Sequence, residues 1–319
     1  ESYYGNPYSN DKKIDPAAPL AEDIVLREGY TIETVRGKTE KQHKKNDVPL
    51  MRDEEVVEFP CDQTTLTKRY TEEAVKFIAA NKDKPFFLYL PHTMPHIPLF
   101  VPPERAGKSE RGLYGDVIEE IDWSVGEILK ALKDHGVDED TLVVFTTDNG
   151  PWKLSNGRGG HADPLRGYKF STYEGGMRVP CIMRWPGKVP AGTTCDEVAA
   201  TIDILPTFAA LAGGKVPSDR VIDGGDIWPL ISAEEGAKSP HQMYCYYKGG
   251  RLESARVGKW KLRRGGKGGA VELYDLEADI SEAKNVAEEN AGVVSDIVAK
   301  MEKFDAELKA NQRPAGKTR

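Results

Sequence analysis

Apolar residues that recur every three or four positions predict four helices in this chain. In the first of them, Leu66, Tyr70 and Ala74 fall on one face, and Asp62 precedes it as a candidate N-cap. The same spacing recurs three more times along the sequence. The predicted helices cover residues 63–81, 114–133, 198–211 and 293–308.

The second predicted helix separates its charged side chains from its apolar stripe. The stripe includes Val117, Ile121 and Val125, and Gly136 is expected to end the helix. We interpret the acidic residues as a solvated or capping face. These acidic residues are Asp116, Glu119, Glu120 and Asp122.

Short continuous apolar runs predict strands between the helices. The runs at residues 85–90 and 142–145 are typical of strands that are buried on both faces of a parallel sheet. Because the helix at residues 114–133 lies between them, a right-handed crossover is expected. Shorter strands are predicted at residues 30–35, 54–59 and 179–185, and the rest of the first 51 residues is expected to be irregular.

The pattern changes near residue 241, where apolar and polar residues alternate between glycine turns. Such alternation predicts antiparallel strands. The predicted fold class is therefore α/β, with a mostly parallel sheet flanked by helices and a small C-terminal antiparallel sheet with a packed helix. The expected division is residues 1–238 and residues 239–319.

Composition narrows the class of protein further. The net charge of −7 over 319 residues argues against general nucleic-acid binding, which needs a basic surface. No apolar window approaches the length of a membrane-spanning helix, so no membrane span is expected. The four cysteines show neither CxxC nor zinc spacing, which favours free thiols. No signal peptide opens the sequence, which begins at Glu1 without Met, and we expect that its start has been cut away.

Residues 141–180 carry the most chemistry in the sequence. Asp148 and Asn149 follow the predicted strand at residues 142–145, at the end where α/β sheets hold their ligands. Taken alone, Asp-Asn-Gly is more often only a turn. However, a carboxylate beside an amide oxygen suits Ca²⁺ or Mg²⁺. A glycine-rich loop then adds cationic side chains that suit a sulfate or phosphate group, and these are Arg158, His161, Arg166 and Lys169.

Two histidines follow the predicted strand at residues 85–90. His92 and His96 are four residues apart, but the prolines around them exclude a helix, so both are predicted to lie in a stiff loop. Each could be a structural residue held by hydrogen bonds. Their place after a strand end favours a functional role.

Several segments, in this order, resemble the sulfatases, most closely the arylsulfatase A-like branch of the alkaline-phosphatase-like superfamily. They run from GNPYSND and PFFLYLPHTMPHIPL, through GLYGDVIEEIDWSVGEIL, FTTDNGPW and LRGYKFSTYEGGMRVP, to GKWKL and ELYDLEAD. The resemblance implies an alkaline-phosphatase-like fold and metal-assisted hydrolysis of sulfate esters.

The resemblance also implies roles for individual residues. Asp148 and Asn149 match metal ligands, usually of Ca²⁺, with Mg²⁺ as an alternative. Lys169 matches a lysine that contacts the sulfate, and His96 matches a histidine that binds sulfate and sits near the leaving oxygen. A weaker match makes four more residues candidates for contact with the substrate. These are His92, Arg158, His161 and Arg166.

One family motif does not occur in the sequence. Sulfatases carry a Cys/Ser-x-Pro-x-Arg motif whose first residue becomes formylglycine, the nucleophile, and neither Cys61 nor Cys181 fits it. The family's N-terminal Asp-Asp metal pair is not found either. We therefore expect that the chain is the C-terminal portion of a sulfatase, that formylglycine lies in a missing N-terminal part, and that the chain alone has no turnover.

Two other functions remain open at this point. A phosphoester or phosphonate hydrolase would use the same scaffold, because sulfate and phosphate are both tetrahedral oxyanions. A non-catalytic binding protein could also keep the fold. For the leading hypothesis the expected partner is a sulfated small molecule or glycan. The resemblance implies export to the periplasm, the extracellular space or the lysosome, and the oligomeric state is left open.

Overall fold

The computed structural model describes residues 2–7, 9–10, 13–37, 46–153, 159–265 and 269–314. The chain divides into two compact units. The first comprises Glu1–Thr141 with Leu154–Gly159, and the second comprises Leu142–Lys153 with Gly160–Arg319. The predicted division at residues 238 and 239 stays a prediction.

The first unit contains a mixed four-stranded sheet with the order β1-β3-β4-β2. β2 and β4 are parallel, whereas the other two pairs are antiparallel. The predicted strand at residues 54–59 is confirmed, but the expectation of an otherwise irregular start is wrong, because three strands lie there. The strands are β1 (Tyr4–Gly5), β2 (Leu20–Leu26), β3 (Leu50–Arg52) and β4 (Glu55–Phe59).

Three α-helices lie among the described residues of this unit, and two of them confirm the sequence prediction. They are α1 (Ile32–Val35), α2 (Leu66–Asn81) and α3 (Gly112–Asp134). The prediction of a strand at residues 30–35 is wrong. Thr31 caps α1 there, accepting a hydrogen bond from Thr34 N at 3.3 Å. Such a cap satisfies a free helical N–H, and an apolar run as short as this one cannot reveal it.

The predicted strand at residues 85–90 is also wrong. These residues form no strand in the part of the chain that the structure describes. Phe87 and Tyr89 are 68% and 76% exposed. An apolar β-rich run predicts an extended backbone, but its ladder partner comes from elsewhere in the sequence, so the run alone cannot predict pairing.

The second unit begins with a two-stranded ribbon of β5 (Val143–Thr146) and β6 (Cys181–Arg184). Both strands were predicted, and both are confirmed. The expected parallel pairing of the first is wrong, because Val144 pairs with Met183 in an antiparallel register. Burial on both faces is wrong as well, since Phe145 is 41% exposed. Parallel and antiparallel pairing cannot be distinguished from one strand's own residues.

The C-terminal antiparallel sheet and its packed helix are confirmed. The sheet has the order β10-β9-β8-β7, and every neighbouring pair is antiparallel. Its inner face packs on the last helix through Leu262, Leu273, Ile297 and Met301. The remaining elements of the unit are α4 (Glu174–Met177), α5 (Ile204–Leu211), α6 (Trp228–Ile231), β7 (Tyr244–Lys248), β8 (Arg251–Val257), β9 (Trp260–Arg264), β10 (Val271–Asp275) and α7 (Ala291–Asn311).

Two expectations about the whole chain can be compared with the described residues. The four cysteines are free thiols, as predicted. Among the described residues, no helix combines the length and the apolar character that crossing a membrane requires.

Two acidic residues of α3 are buried, which contradicts their predicted place on a solvated or capping face. Asp116 accepts hydrogen bonds from Gly107 N, Lys108 N and Ser109 N at 2.8–2.9 Å, so it holds the preceding loop. Glu120 is only 1% exposed. Its Oε1 atom has no hydrogen-bond partner within the described part of the chain. This burial raises the pKa of Glu120 to about 7.

We expect Glu120→Gln to stabilise the protein at alkaline pH. The folded pKa of Glu120 lies above its ordinary value of 4.5. The folded state therefore gains from binding a proton, and this stability is present below the ordinary pKa and lost as pH rises through about 7. At about pH 8 the variant should exceed the wild type by roughly 2 kcal/mol in the free energy of unfolding, with little difference near pH 4.5.

Urea unfolding across this pH range measures the effect. Glu119→Gln is the matched control, because it removes the same charge from an exposed neighbour on the same helix. A difference in the free energy of unfolding between Glu120→Gln and the wild type that does not change with pH would contradict the prediction.

Candidate active site

The predicted metal ligands lie at the end of β5, in a turn that packs closely against α4. Gly150 N donates to Gly176 O at 3.1 Å. A Cβ atom on Gly150 would stand 2.0 Å from Gly175 O, so only glycine allows this approach. Asp148 is exposed and Asn149 is half-buried. The turn therefore presents its two oxygen-bearing side chains from a backbone that is held by its neighbour.

Lys169 lies in a segment that is bonded to the same turn. Its backbone N–H donates to Pro151 O at 2.9 Å. Its ammonium group stands 5.8 Å from the centre of the Trp152 ring and 5.6 Å from that of Phe170. Phe170 has a φ of +72°, a strained conformation for a bulky residue. The backbone carrying the predicted sulfate-binding lysine is thus fixed beside the predicted metal ligands.

The chemistry of the donors at this turn fits part of a cation site. The Asp148 carboxylate and the Asn149 amide oxygen are the hard donors that Ca²⁺ and Mg²⁺ take. Ca²⁺ takes about six to eight oxygen ligands, which is more than two side chains provide. Over the described residues, no group of three His, Cys, Asp or Glu residues is arranged to hold a metal.

Arg166, a predicted substrate contact, is bound within its own unit. Its Nη1 donates to Tyr274 Oη at 3.2 Å and to Glu282 O at 2.8 Å. Its guanidinium also lies 4.1 Å from the centre of the Tyr173 ring. These contacts hold the loop on the C-terminal sheet, and a contact between Arg166 and substrate stays a prediction.

The other two loop candidates are less constrained. His161 is exposed, and its Nδ1 lies 3.8 Å from Asp163 Oδ2, which is also exposed. Arg158 lies outside the described residues. Substrate contacts for both stay predictions.

A buried group of charges supports α4, and the sequence analysis missed it. Lys261 Nζ donates to Glu174 Oε1 at 2.7 Å and lies 3.4 Å from Glu282 Oε1. Glu282 Oε2 accepts from Glu174 N at 2.7 Å. All three residues are almost fully buried, and burial raises the pKa of Glu282. The charged Lys261 side chain points inward from β9, whereas the alternation pattern offers no sign of a buried charge.

In the first unit, His96 lies in the loop predicted for it. The ring is exposed, but one edge is held, because Nδ1 stands 2.8 Å from Ile97 O and 3.2 Å from Asn10 Oδ1. The other ring nitrogen, Nε2, is the atom that remains for a ligand.

His92 lies in the same loop in a different environment. Its Nε2 stands 3.3 Å from Ser124 Oγ on α3, and Ser124 Oγ stands 2.6 Å from Thr71 Oγ1 on α2. Burial lowers the pKa of His92 to about 4. The ring is therefore neutral at neutral pH and contacts α3 through Nε2. A substrate contact for His92 stays a prediction.

Solved structures define the class of protein. Ps i-CgsB in complex with k-i-k-neocarrahexaose matches with a TM-score of 0.79 and 30% identity, over 99% of this chain and 68% of that one. A sulfatase from a Pseudoalteromonas species, PsFucS1, matches with a TM-score of 0.78 and 23% identity, over 98% of this chain and 67% of that one, and so shares the fold. The predicted alkaline-phosphatase-like α/β fold class is confirmed.

Sequence comparison then identifies the family. The model described as Sulfatase matches residues 5–214. A second model, N-sulphoglucosamine sulphohydrolase, C-terminal, matches residues 168–311. The chain belongs to the sulfatase family.

Curated relatives agree with this assignment. Human steryl-sulfatase is 41% identical over 212 residues, which cover 65% of this chain and 36% of the relative. Mouse N-acetylgalactosamine-6-sulfatase is 37% identical over 255 residues, which cover 76% of this chain and 48% of the relative. The chain thus spans between about a third and a half of the length of these relatives.

We expect Lys261→Met to destabilise the second unit strongly. The substitution keeps the apolar stem but takes the ammonium group from two buried carboxyl groups, of which Glu174 keeps the Arg256 guanidinium at 3.8 Å. Breaking a buried ion pair in this way typically costs about 3–5 kcal/mol. Hydrogen exchange of the α4 amides should accelerate, and the urea midpoint should fall. Lys259→Met is the matched control, because Lys259 forms an ion pair with Asp275 at 2.6 Å on the surface, and it should change little. If both substitutions lowered the urea midpoint equally, the buried ion pairs of Lys261 would contribute no more to stability than the surface pair of Lys259, and the prediction would be wrong.

A second prediction concerns the charge of His92. Its folded pKa is lowered from 6.5, so its contribution to stability is present above about 6.5 and lost as pH falls toward about 4. NMR titration should show the His92 ring neutral down to about pH 5. His92→Gln identifies the resonance by removing it. A titration midpoint at or above 6.5 would contradict the buried, neutral state.

Proposed function

We propose that this chain is part of a sulfatase that hydrolyses sulfate esters with the help of a divalent cation. One observation carries the proposal. The segment with Lys169 is hydrogen-bonded to the turn with Asp148 and Asn149 through Lys169 N and Pro151 O at 2.9 Å, which supports a shared role for the ammonium group and the two oxygen-bearing side chains. Membership of the sulfatase family supports the same chemistry.

In this mechanism each residue has a definite task. Asp148 and Asn149 would hold the cation, Ca²⁺ or Mg²⁺, which when bound draws negative charge from the sulfate oxygens. The Lys169 ammonium offsets charge that accumulates as the bond between sulfur and the leaving oxygen breaks. The family resemblance assigns to His96, which lies in the first unit, the transfer of a proton from Nε2 to a leaving oxygen.

The overall reaction consumes one water and yields an alcohol or phenol and inorganic sulfate. The 319 residues contain no Cys/Ser-x-Pro-x-Arg motif, and the nucleophile is assigned to no residue of this chain.

The substrate class belongs to the same proposal. The relatives are named for steryl and N-acetylgalactosamine-6-sulfate chemistry, and a solved relative is in complex with a neocarrahexaose. We therefore propose a sulfated small molecule or glycan as substrate, and an exported protein that meets it in the periplasm, the extracellular space or the lysosome.

The test uses the product of the whole reading frame that contains these residues. It is incubated with an aryl sulfate and with a sulfated oligosaccharide, and released inorganic sulfate is measured by ion chromatography. Lys169→Ala and His96→Ala should each lower kcat by about 100-fold or more. Lys153→Ala is the matched control, because this exposed lysine lies in the same region and stands over the Tyr168 ring at 5.0 Å; it should keep near-full activity.

Other outcomes separate the alternatives. A chelator should abolish sulfate release and added Ca²⁺ should restore it, whereas the 319-residue chain alone should release none. Hydrolysis of a phosphonate or phosphate ester without sulfate release would replace the proposal with the phosphoester alternative. Binding of the sulfated oligosaccharide with no hydrolysis of any ester would indicate a non-catalytic binding protein.

A further inference from the structure

A fully buried amide side chain contacts the Nδ1 edge of the His96 ring. Asn10 has no exposed surface, and its Oδ1 stands 3.2 Å from His96 Nδ1. We infer that Asn10 is a positioning residue for His96, which holds the ring in the tautomer with the proton on Nδ1 and leaves Nε2 for the substrate. This inference rests on the proposed function only for the role of Nε2 in proton transfer to the substrate.

The orientation of the Asn10 amide follows from its partners. The amide nitrogen, Nδ2, donates to His96 O at 3.3 Å and to Pro98 O at 3.1 Å. Both partners are carbonyl oxygens, which only accept, so the NH₂ group must stand there. The amide oxygen is then the atom that meets the ring. One side chain therefore holds both the backbone on either side of Ile97 and the edge of the imidazole.

The tautomer follows from the same geometry. His96 Nδ1 has two neighbouring acceptors, Asn10 Oδ1 and Ile97 O. A bare Nδ1 would direct its lone pair at two oxygen lone pairs, whereas a protonated Nδ1 satisfies both acceptors. The neutral ring thus carries its proton on Nδ1, and Nε2 is the nitrogen that accepts a proton and later gives it away.

The backbone carbonyl of Asn10 is bound by a second buried amide side chain. Gln63, buried just before α2, donates from Nε2 to Asn10 O at 3.2 Å and to Asn46 O at 3.0 Å. A chain of buried amides therefore leads from the start of α2 to the exposed His96 ring. Groups that orient a metal-binding histidine through its second nitrogen typically change metal affinity or activity by about 10–100-fold when they are lost, and we expect an effect of similar size for His96.

The decisive measurement reads the tautomer directly and needs no activity. Nitrogen-15 NMR of the imidazole in the 319-residue chain should show His96 with its proton on Nδ1. Asn10→Leu removes both the donor and the acceptor at similar size, and the ring should then populate both tautomers. Asn10→Asp keeps an acceptor for Nδ1–H and should restore the original tautomer.

Controls keep this outcome specific. Asn81→Leu removes another amide of the same unit, one that bonds Phe77 O at 2.7 Å at the end of α2, and it should leave the His96 spectrum unchanged. A wild-type ring protonated on Nε2 would overturn the inference without any variant. So would an Asn10→Leu spectrum identical to the wild type.

Kinetics of the whole reading-frame product separate this inference from the proposed function. Asn10→Leu should lower kcat by about 10–100-fold with little change in KM, and Asn10→Asp should recover part of it. If the NMR results hold and no sulfate ester is cleaved, the proposed function fails while the positioning of His96 stands. If sulfate esters are cleaved and Asn10→Leu leaves kcat unchanged, the positioning role fails instead.

Discussion

The buried ion pair between Lys261 and Glu174 is the constraint on which the second unit's candidate site depends. Isolated charges are costly to bury, so Lys261 can occupy its position only while carboxylates meet it. Glu174 opens α4, and the backbone of α4 in turn contacts the turn at Gly150. The position of the predicted metal ligands is therefore coupled, through two short contacts, to a charge in the C-terminal sheet.

Glycines allow the backbone segments in this region to approach each other closely. Gly150 and Gly176 meet through a backbone hydrogen bond, and Gly175 N donates to Arg166 O at 2.7 Å. Because main chain packs on main chain here, the local N–H and C=O groups are satisfied without recruiting the functional side chains. Asp148 Oδ1 accepts a long hydrogen bond from the neighbouring Thr147 Oγ1 at 3.5 Å, and Lys169 Nζ lies against the Trp152 and Phe170 rings. A loop that used side chains to hold itself together would have fewer left for chemistry.

The sequence predicted what depends on local spacing and missed what depends on distant partners. The 3.6-residue period placed α2, α3 and α7, and alternation placed the C-terminal strands, because each signal lies within one segment. The pairing of β5, and whether residues 85–90 form a strand, depend on partners elsewhere in the chain. The burial of charged side chains such as Glu120 and Lys261 also depends on distant partners, so the local pattern does not predict it. Candidate site residues were identified by type and motif, whereas Asn10 became visible only through its distance to a ring.

His92 and His96 show why residue type alone does not define a role. They lie four residues apart in one proline-rich loop, yet one is desolvated against α3 and the other is exposed. Desolvation keeps His92 neutral, and its Nε2 stands beside a serine hydroxyl of α3. Among the described residues, His96 is held along its Nδ1 edge, and these contacts fix the ring without occupying Nε2. Proton transfer to a substrate requires a ring nitrogen that the substrate can reach, and of these two environments only that of His96 combines a fixed orientation with an exposed ring.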